Sequence, residues 1–243
     1  MNPALELREV IAHLKTILSA YGEMGLDLPW RRPDVPACDS AAEMAQTGDV
    51  APTLPESIDG LREQASGCAR CALHRDRKNV VFGEGHPHAA LLFVGEGPGE
   101  DEDLSGSPFV GEAGKLLTRI IENGMGLKRG DVYICNVVKC RPPANRDPSD
   151  EETETCLPFL RRQIRLVSPR VICTLGEVAG RALLGGGFQM TQARGQWHTY
   201  QGIPVMPTFH PAYLLRNPSA KRWVWEDIKK IMNRLGIEVK TNE

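Results

Sequence analysis

No stretch of this 243-residue chain holds eighteen consecutive apolar residues, and no basic patch followed by a short apolar run stands near its start. A spanning helix needs about 20 such residues, so the expectation is a soluble, non-exported protein with no membrane partner. An even cysteine set is also missing: the chain has seven. That argues against a disulfide framework and for a reducing compartment, hence a cytoplasmic location. There is little net charge, −2 overall, which alone excludes nothing about partners. Its distribution is uneven. Residues 1–60 hold four Lys/Arg against ten Asp/Glu, and the remainder holds 25 against 21. A mildly basic body behind an acidic extension leaves room for a polyanion partner. Internal repeats are absent.

The chain divides near residue 60. Leu7, Val10, Ile11, Leu14, Ile17, Leu18 and Tyr21 recur at helical spacing, so 4–21 reads as an amphipathic helix inside an N-terminal segment 1–28. That helix either binds a protein partner or packs on the main domain. From Pro29 the composition turns to Pro, Ala, Asp and Gly without periodicity, and 29–58 is expected to be a flexible linker. Cys38 falls within it and is not expected to be a ligand. The main domain is expected over 59–243. Four short apolar runs there read as buried parallel strands: Ala90–Gly95, Val132–Val138, Val171–Leu175 and Pro204–Phe209. Helical patterns separate or follow them at Gly114–Asn123, Ser149–Leu166, Glu177–Leu184 and Ala220–Leu235. The last should turn Trp223, Ile228, Ile231, Met232 and Leu235 to the core. Alternating strands and helices imply an α/β sheet with right-handed crossovers. Cys135 and Cys173 lie inside strand runs and read as small core hydrophobes.

Four other cysteines carry chemistry. Cys68 and Cys71 form a CxxC pair at the start of the domain, and Cys140 and Cys156 flank a Pro/Arg-rich loop. Soft thiolates drawn from distant segments suit a tetrahedral metal or an iron–sulfur cluster. Three strand ends carry polar groups: Gly95-Glu96-Gly97-Pro98-Gly99, then Asn136 leading into Lys139-Cys140-Arg141, then Phe209-His210-Pro211. Ligands of open α/β sheets bind beyond the carboxyl ends of strands, so these loops should converge on one crevice. A polyphosphate is a poor occupant. The third glycine of the loop comes one place early for a dinucleotide turn, and Glu100, Asp101, Glu102 and Asp103 follow it. Gly111–Lys115 lacks the Walker spacing. The glycines are instead expected to let backbone approach a flat, uncharged ring.

GEGPGEDED, PFVG and AGKLL (within Gly95–Leu117), VYICNVVKCRPPANRDP (Val132–Pro148), TLG (Thr174–Gly176) and FHPAYLLR (Phe209–Arg216) closely resemble the family 4 uracil-DNA glycosylases. The resemblance covers roughly 60–235 in unbroken order. It implies a three-layer sandwich around a four-stranded parallel sheet, a monomer, uracil-containing DNA as partner and a location with the nucleoid. It also implies a 4Fe–4S cluster on Cys68, Cys71, Cys140 and Cys156.

The implied reaction is hydrolysis of the bond between uracil and deoxyribose, after the base has left the stack. By resemblance Phe109 stacks on uracil, Asn136 reads its Watson–Crick edge, and His210 donates to O2 as charge builds there. Glu96, Gly97 and Pro98 are expected to line the same pocket, with Glu96 catalytic. Gly97 stands where the classical uracil-DNA glycosylases carry an aspartate, so the resemblance implies that the water or sugar cation is handled differently, with Glu96 or Glu102 as candidates. Glu102 is a candidate neighbour of uracil C5, where bulk would exclude thymine. Lys139, Arg141, Arg146, Arg194 and Arg216 are candidate phosphate contacts, and Leu214 or Leu215 a candidate wedge. Two alternatives remain, a trapping uracil-DNA binder of the same superfamily and an iron–sulfur electron carrier. A zinc-stabilised scaffold is a third.

Overall fold

The computed structural model describes residues 55–239. The helix expected over 4–21 and all but the last four residues of the expected linker lie outside them. The first described element is already helical, because Ser57 accepts from the Gly60 N–H and caps α1 (Ile58–Ser66).

Six strands form one sheet: β1 (Glu84–Gly85), β2 (Leu91–Gly95), β3 (Tyr133–Asn136), β4 (Val171–Leu175), β5 (His198–Tyr200) and β6 (Ile203–Thr208). Their order is β1-β3-β2-β4-β6-β5. The inner four are parallel, at the runs expected from sequence, and both edges are antiparallel. The sheet is therefore mixed and six-stranded, a correction to the four-stranded parallel expectation. Each added edge has a local cause. β1 is two residues long and follows Gly83 at φ +132°, so it has no apolar pattern to read. β5 is polar and returns into β6 through Gln201 and Gly202, both at positive φ (+49° and +83°). Two left-handed residues in a two-residue loop match the twist of a hairpin.

The helices are α2 (Glu100–Ser105), α3 (Glu112–Arg119), α4 (Asp150–Val167), α5 (Glu177–Leu184), α6 (Met190–Ala193), α7 (Pro211–Arg216) and α8 (Lys221–Leu235). Alternation along the strands makes two cores. Leu91, Phe93, Cys173 and Met206 meet Leu117 and Ile121 around α3 and Ile228 and Ile231 of α8 on one face. Leu92, Val94, Cys135, Ile172 and Val205 meet Leu160 and Ile164 of α4 and Ala179 of α5 on the other. Period-2 side chains between two amphipathic helical layers produce this arrangement. Cys135 and Cys173 are buried in these cores as expected.

Trp223 departs from expectation: it is 39% exposed, while Val224 takes the inward position on α8. One residue of helix is about 100° of rotation, enough to move a side chain from core to solvent. Among the described residues no helix is long and apolar enough to cross a membrane.

Candidate active site and cysteine cluster

Parallel β2 and β3 pair Gly95 with Asn136 at their carboxyl ends, and β6 delivers His210 to the same edge. The loops beyond enclose a cleft of about 460 Å³ lined by Glu96, Gly97, Pro98, Glu102, Phe109, Asn136 and His210. Ligand clefts commonly span about 300–1,000 Å³. Arg216, Asn145 and Asp147 stand at its walls.

The cleft owes its shape to missing side-chain atoms. A Cβ on Gly95 would lie 2.4 Å from the Asn136 Oδ1 and 2.5 Å from the Phe109 ring. One on Gly114 would lie 2.0 Å from the Phe109 backbone. Phe109 itself sits at φ +54°, a left-handed position that disfavours a bulky residue. Two clamps hold it there. Glu102 accepts from Gly99 N at 3.0 Å through Oε2, and from Val110 N and Gly111 N at 2.9 Å through Oε1. Arg129 donates through Nη2 to the Pro108 carbonyl at 2.6 Å and to Glu84 at 2.8 Å. The acidic run therefore opens α2 and ties loops together. Asp103, which is buried, accepts from the Lys78 and Asn79 N–H groups.

Asn136 is buried, and its Oδ1 has no hydrogen-bond partner among the described residues. A buried acceptor without a partner costs about 1–3 kcal/mol, so this amide is held ready for something else. His210 caps α7, its Nδ1 accepting from Ala212 N at 3.2 Å. A neutral ring with Nδ1 as acceptor carries its proton on Nε2. Burial first, then the Arg216 cation, lowers the imidazole pKa to about 4 against a weaker pull from Glu102, so the ring is neutral at pH 7. Its ring lies 5.6 Å from that of Phe109. Glu96 behaves oppositely: burial, then the charge of and a hydrogen bond with Asp147, raise its carboxyl to about 7.

Two expected DNA contacts are corrected. Lys139 is 2% exposed, and its ammonium donates to the Asn136 carbonyl and to Gln163 Oε1, both at 2.6 Å. It cannot reach a phosphate, because chain continuing from β3 carries it inward. Leu214 is 1% exposed and belongs to the core, whereas Leu215 is 41% exposed. Arg141 is half-buried, donating to Asn145 at 2.8 Å and lying 3.5 Å from Glu100. Arg146 is paired with Glu152, and Arg194 with buried Asp227. Arg216 is exposed at the mouth and has no ion pair among the described residues. Asp147 was missed in sequence, although it lies inside the NRDP stretch; nothing there marks it as Glu96's neighbour.

Cys68, Cys71, Cys140 and Cys156 line one small hollow beside Arg77 and Lys139. Arg77 donates to Cys140 Sγ at 3.1 Å and to the Cys68 carbonyl at 2.7 Å. Burial raises the Cys140 thiol, partly offset by Arg77, and pushes that of Cys156 to about 11. Among the described residues no three His, Cys, Asp or Glu side chains converge closely enough to hold a single metal ion.

Residues 82–230 match the family described as the uracil DNA glycosylase superfamily. The chain is 48% identical to a type-4 uracil-DNA glycosylase of Thermotoga maritima, over 73% of this chain and 94% of that protein. It is 45% identical to one of Sulfurisphaera tokodaii (72% and 84% covered) and 43% identical to one of Saccharolobus solfataricus (74% and 87%).

Proposed function

The chain belongs to the uracil DNA glycosylase superfamily, and from that premise we infer that it is a DNA-repair uracil-DNA glycosylase. It hydrolyses the N-glycosidic bond of an extruded deoxyuridine and leaves an abasic site. The observation that carries the reading is an Asn136 Oδ1 with no partner among the described residues, lining one cleft with a neutral, tautomer-fixed His210.

Extrusion costs a few kcal/mol, least where uracil is mispaired. The Phe109 ring supplies a flat face for the base. Asn136 Oδ1 accepts from uracil N3–H and its Nδ2 donates to O4. Cytosine presents the reverse pattern at those atoms and would leave the amide mismatched. As the C1′–N1 bond lengthens, the electron pair moves onto the base, and His210 Nε2–H donates to O2. Such a donor is typically worth about 2.7–4 kcal/mol of barrier. A ring titrating near 4 gives up no proton at pH 7, so it acts as a fixed dipole rather than a general acid. Water then adds to C1′ of the sugar cation. Glu96, about half ionised at neutrality, orients that water and accepts its proton, a task Gly97 cannot share. Arg216 holds a phosphate at the mouth.

The cysteine hollow fits a cluster better than a single ion. Four thiolates on one zinc sit within about 4 Å of one another, given 2.3 Å bonds at tetrahedral angles. The four sulfurs share a cavity without that convergence. Among the described residues Lys139 donates only to neutral oxygens and meets no carboxylate, and anionic thiolates beside it would balance its charge. When bound, a 4Fe–4S cluster would cross-link α1's exit, the loop at Cys140 and α4.

The test is a labelled oligonucleotide with one uracil opposite guanine, a thymine control and subsequent alkali. Alkali-dependent scission at uracil alone is expected, with His210→Ala about 10²–10³-fold slower at unchanged DNA affinity. Absence of scission by intact, cluster-loaded protein would refute the reading.

A further inference from the structure

A second cleft is also lined by His210. It has a volume of about 560 Å³ and is lined by Met190, Thr191, Phe209, Tyr213 and Trp223. It shares His210 and Tyr213 with the uracil pocket, so the two mouths adjoin. Its walls are aromatic: Phe209 stacks 4.9 Å from Tyr213 and 6.1 Å from Trp223. Trp223 and Tyr213 are 39% and 36% exposed, although large apolar side chains elsewhere are mostly buried.

The platform is rigidly built. Arg194 lies under both Phe209 and Trp223, at 5.6 and 5.9 Å from their ring centres. Asp227 and the Trp223 carbonyl fix that guanidinium, at 2.6 and 2.9 Å. Asp227 is anchored in turn by Thr208 Oγ1 at 2.7 Å. The one carboxylate of the wall, Glu177, accepts from the Met190 N–H at 2.8 Å. The Arg222 guanidinium lies 5.1 Å from the Trp223 ring centre, and Arg216 stands at the adjoining mouth.

We propose that this cleft is a stacking subsite for the base that neighbours the extruded uracil on the same DNA strand. The proposal rests on uracil-containing DNA being the substrate. A strand whose nucleotide enters the first pocket must continue across one of the adjoining surfaces. Only flat, sequence-tolerant recognition is on offer here, since rings dominate the wall. Part-exposed aromatic rings beside guanidinium groups are what unpaired bases and their phosphates require. A saturated apolar ligand would have no use for the cations. The enzyme is thus built to hold two consecutive unstacked bases, the neighbour as well as the target.

The test is a cycle between Trp223 and the neighbouring base. Single-turnover affinity is measured on single-stranded oligonucleotides with uracil flanked on its 5′ or its 3′ side by a baseless sugar. Wild-type protein should bind one of the two about ten- to a hundredfold more weakly than the fully based strand. Trp223→Ala should bind all three alike, at that weaker level. Trp223→Phe should recover part of the difference and guards against a folding defect in the alanine variant. Equal losses in wild type and variant, or no loss at all in wild type, would overturn the proposal and assign the cleft to another occupant such as a second copy.

Discussion

Replacing Glu102 by glutamine separates two duties at nearly constant shape. In the structure the carboxylate receives three backbone N–H bonds at 2.9–3.0 Å, from Gly99, Val110 and Gly111. Hydrogen bonds to a charged acceptor are worth about 1.5–3 kcal/mol each. An amide can keep one oxygen for Val110 and Gly111, but then turns its NH₂ toward the Gly99 N–H. One bond is lost and two become neutral. For a half-buried group this amounts to about 2–4 kcal/mol, or roughly 4–16 °C in Tm for a domain of this size. The released loop carries Phe109 at φ +54°, a conformation costing on the order of 1–3 kcal/mol that the clamp sustains. KM for uracil DNA should therefore rise about tenfold, with thymine still refused. Thermal unfolding and excision kinetics on matched uracil and thymine strands measure both. An unshifted Tm with new thymine excision would refute the clamp and return Glu102 to the C5 edge.

Since Glu96 is raised to about 7 and His210 lowered to about 4, kcat/KM should climb as pH passes through about 7 and show no histidine limb above 5. Asp147→Asn should move that limb to lower pH, and an unmoved limb would exclude the pairing. The same raised carboxyl binds more protons folded than unfolded between about 4.5 and 7, so its contribution to stability falls as pH rises through that window. Arg216→Ala should reduce the slope of log Kd against log salt by about one, whereas Lys139→Met should leave the slope unchanged and lower Tm instead. A reduced slope for Lys139→Met would show the lysine reaching DNA. Cys140→Ser should abolish visible absorbance of the purified protein, and an unchanged spectrum would exclude Cys140 as a ligand.

Sequence was most informative where burial is continuous. The four inner strands read correctly because each is apolar on both faces, and Ser149, expected to open a helix, caps α4. Glu96, Gly97, Pro98, Asn136 and His210 could be gathered beforehand because strand ends converge by topology, whereas Phe109, on a loop between helices, came only with the family resemblance. What stayed hidden is direction within a short element. Leu214 and Leu215 are adjacent on a six-residue helix, too short for periodicity to say which faces inward. Lys139 looked solvated beside Arg141, yet the chain after β3 stays buried from Val137 to Cys140. Four consecutive carboxylates read as repulsive charge, because nothing local reveals that backbone N–H groups from residues 78–111 close on two of them.

The unpartnered Asn136 Oδ1 sets fitness for catalysis against durability. Removing the amide for an apolar group of similar size would relieve a penalty of about 1–3 kcal/mol borne by the empty protein. The molecule would become harder to melt and blind to its substrate. Variants chosen for heat tolerance alone would thus be drawn toward position 136, and engineering for robustness must hold that residue fixed while improving everything around it.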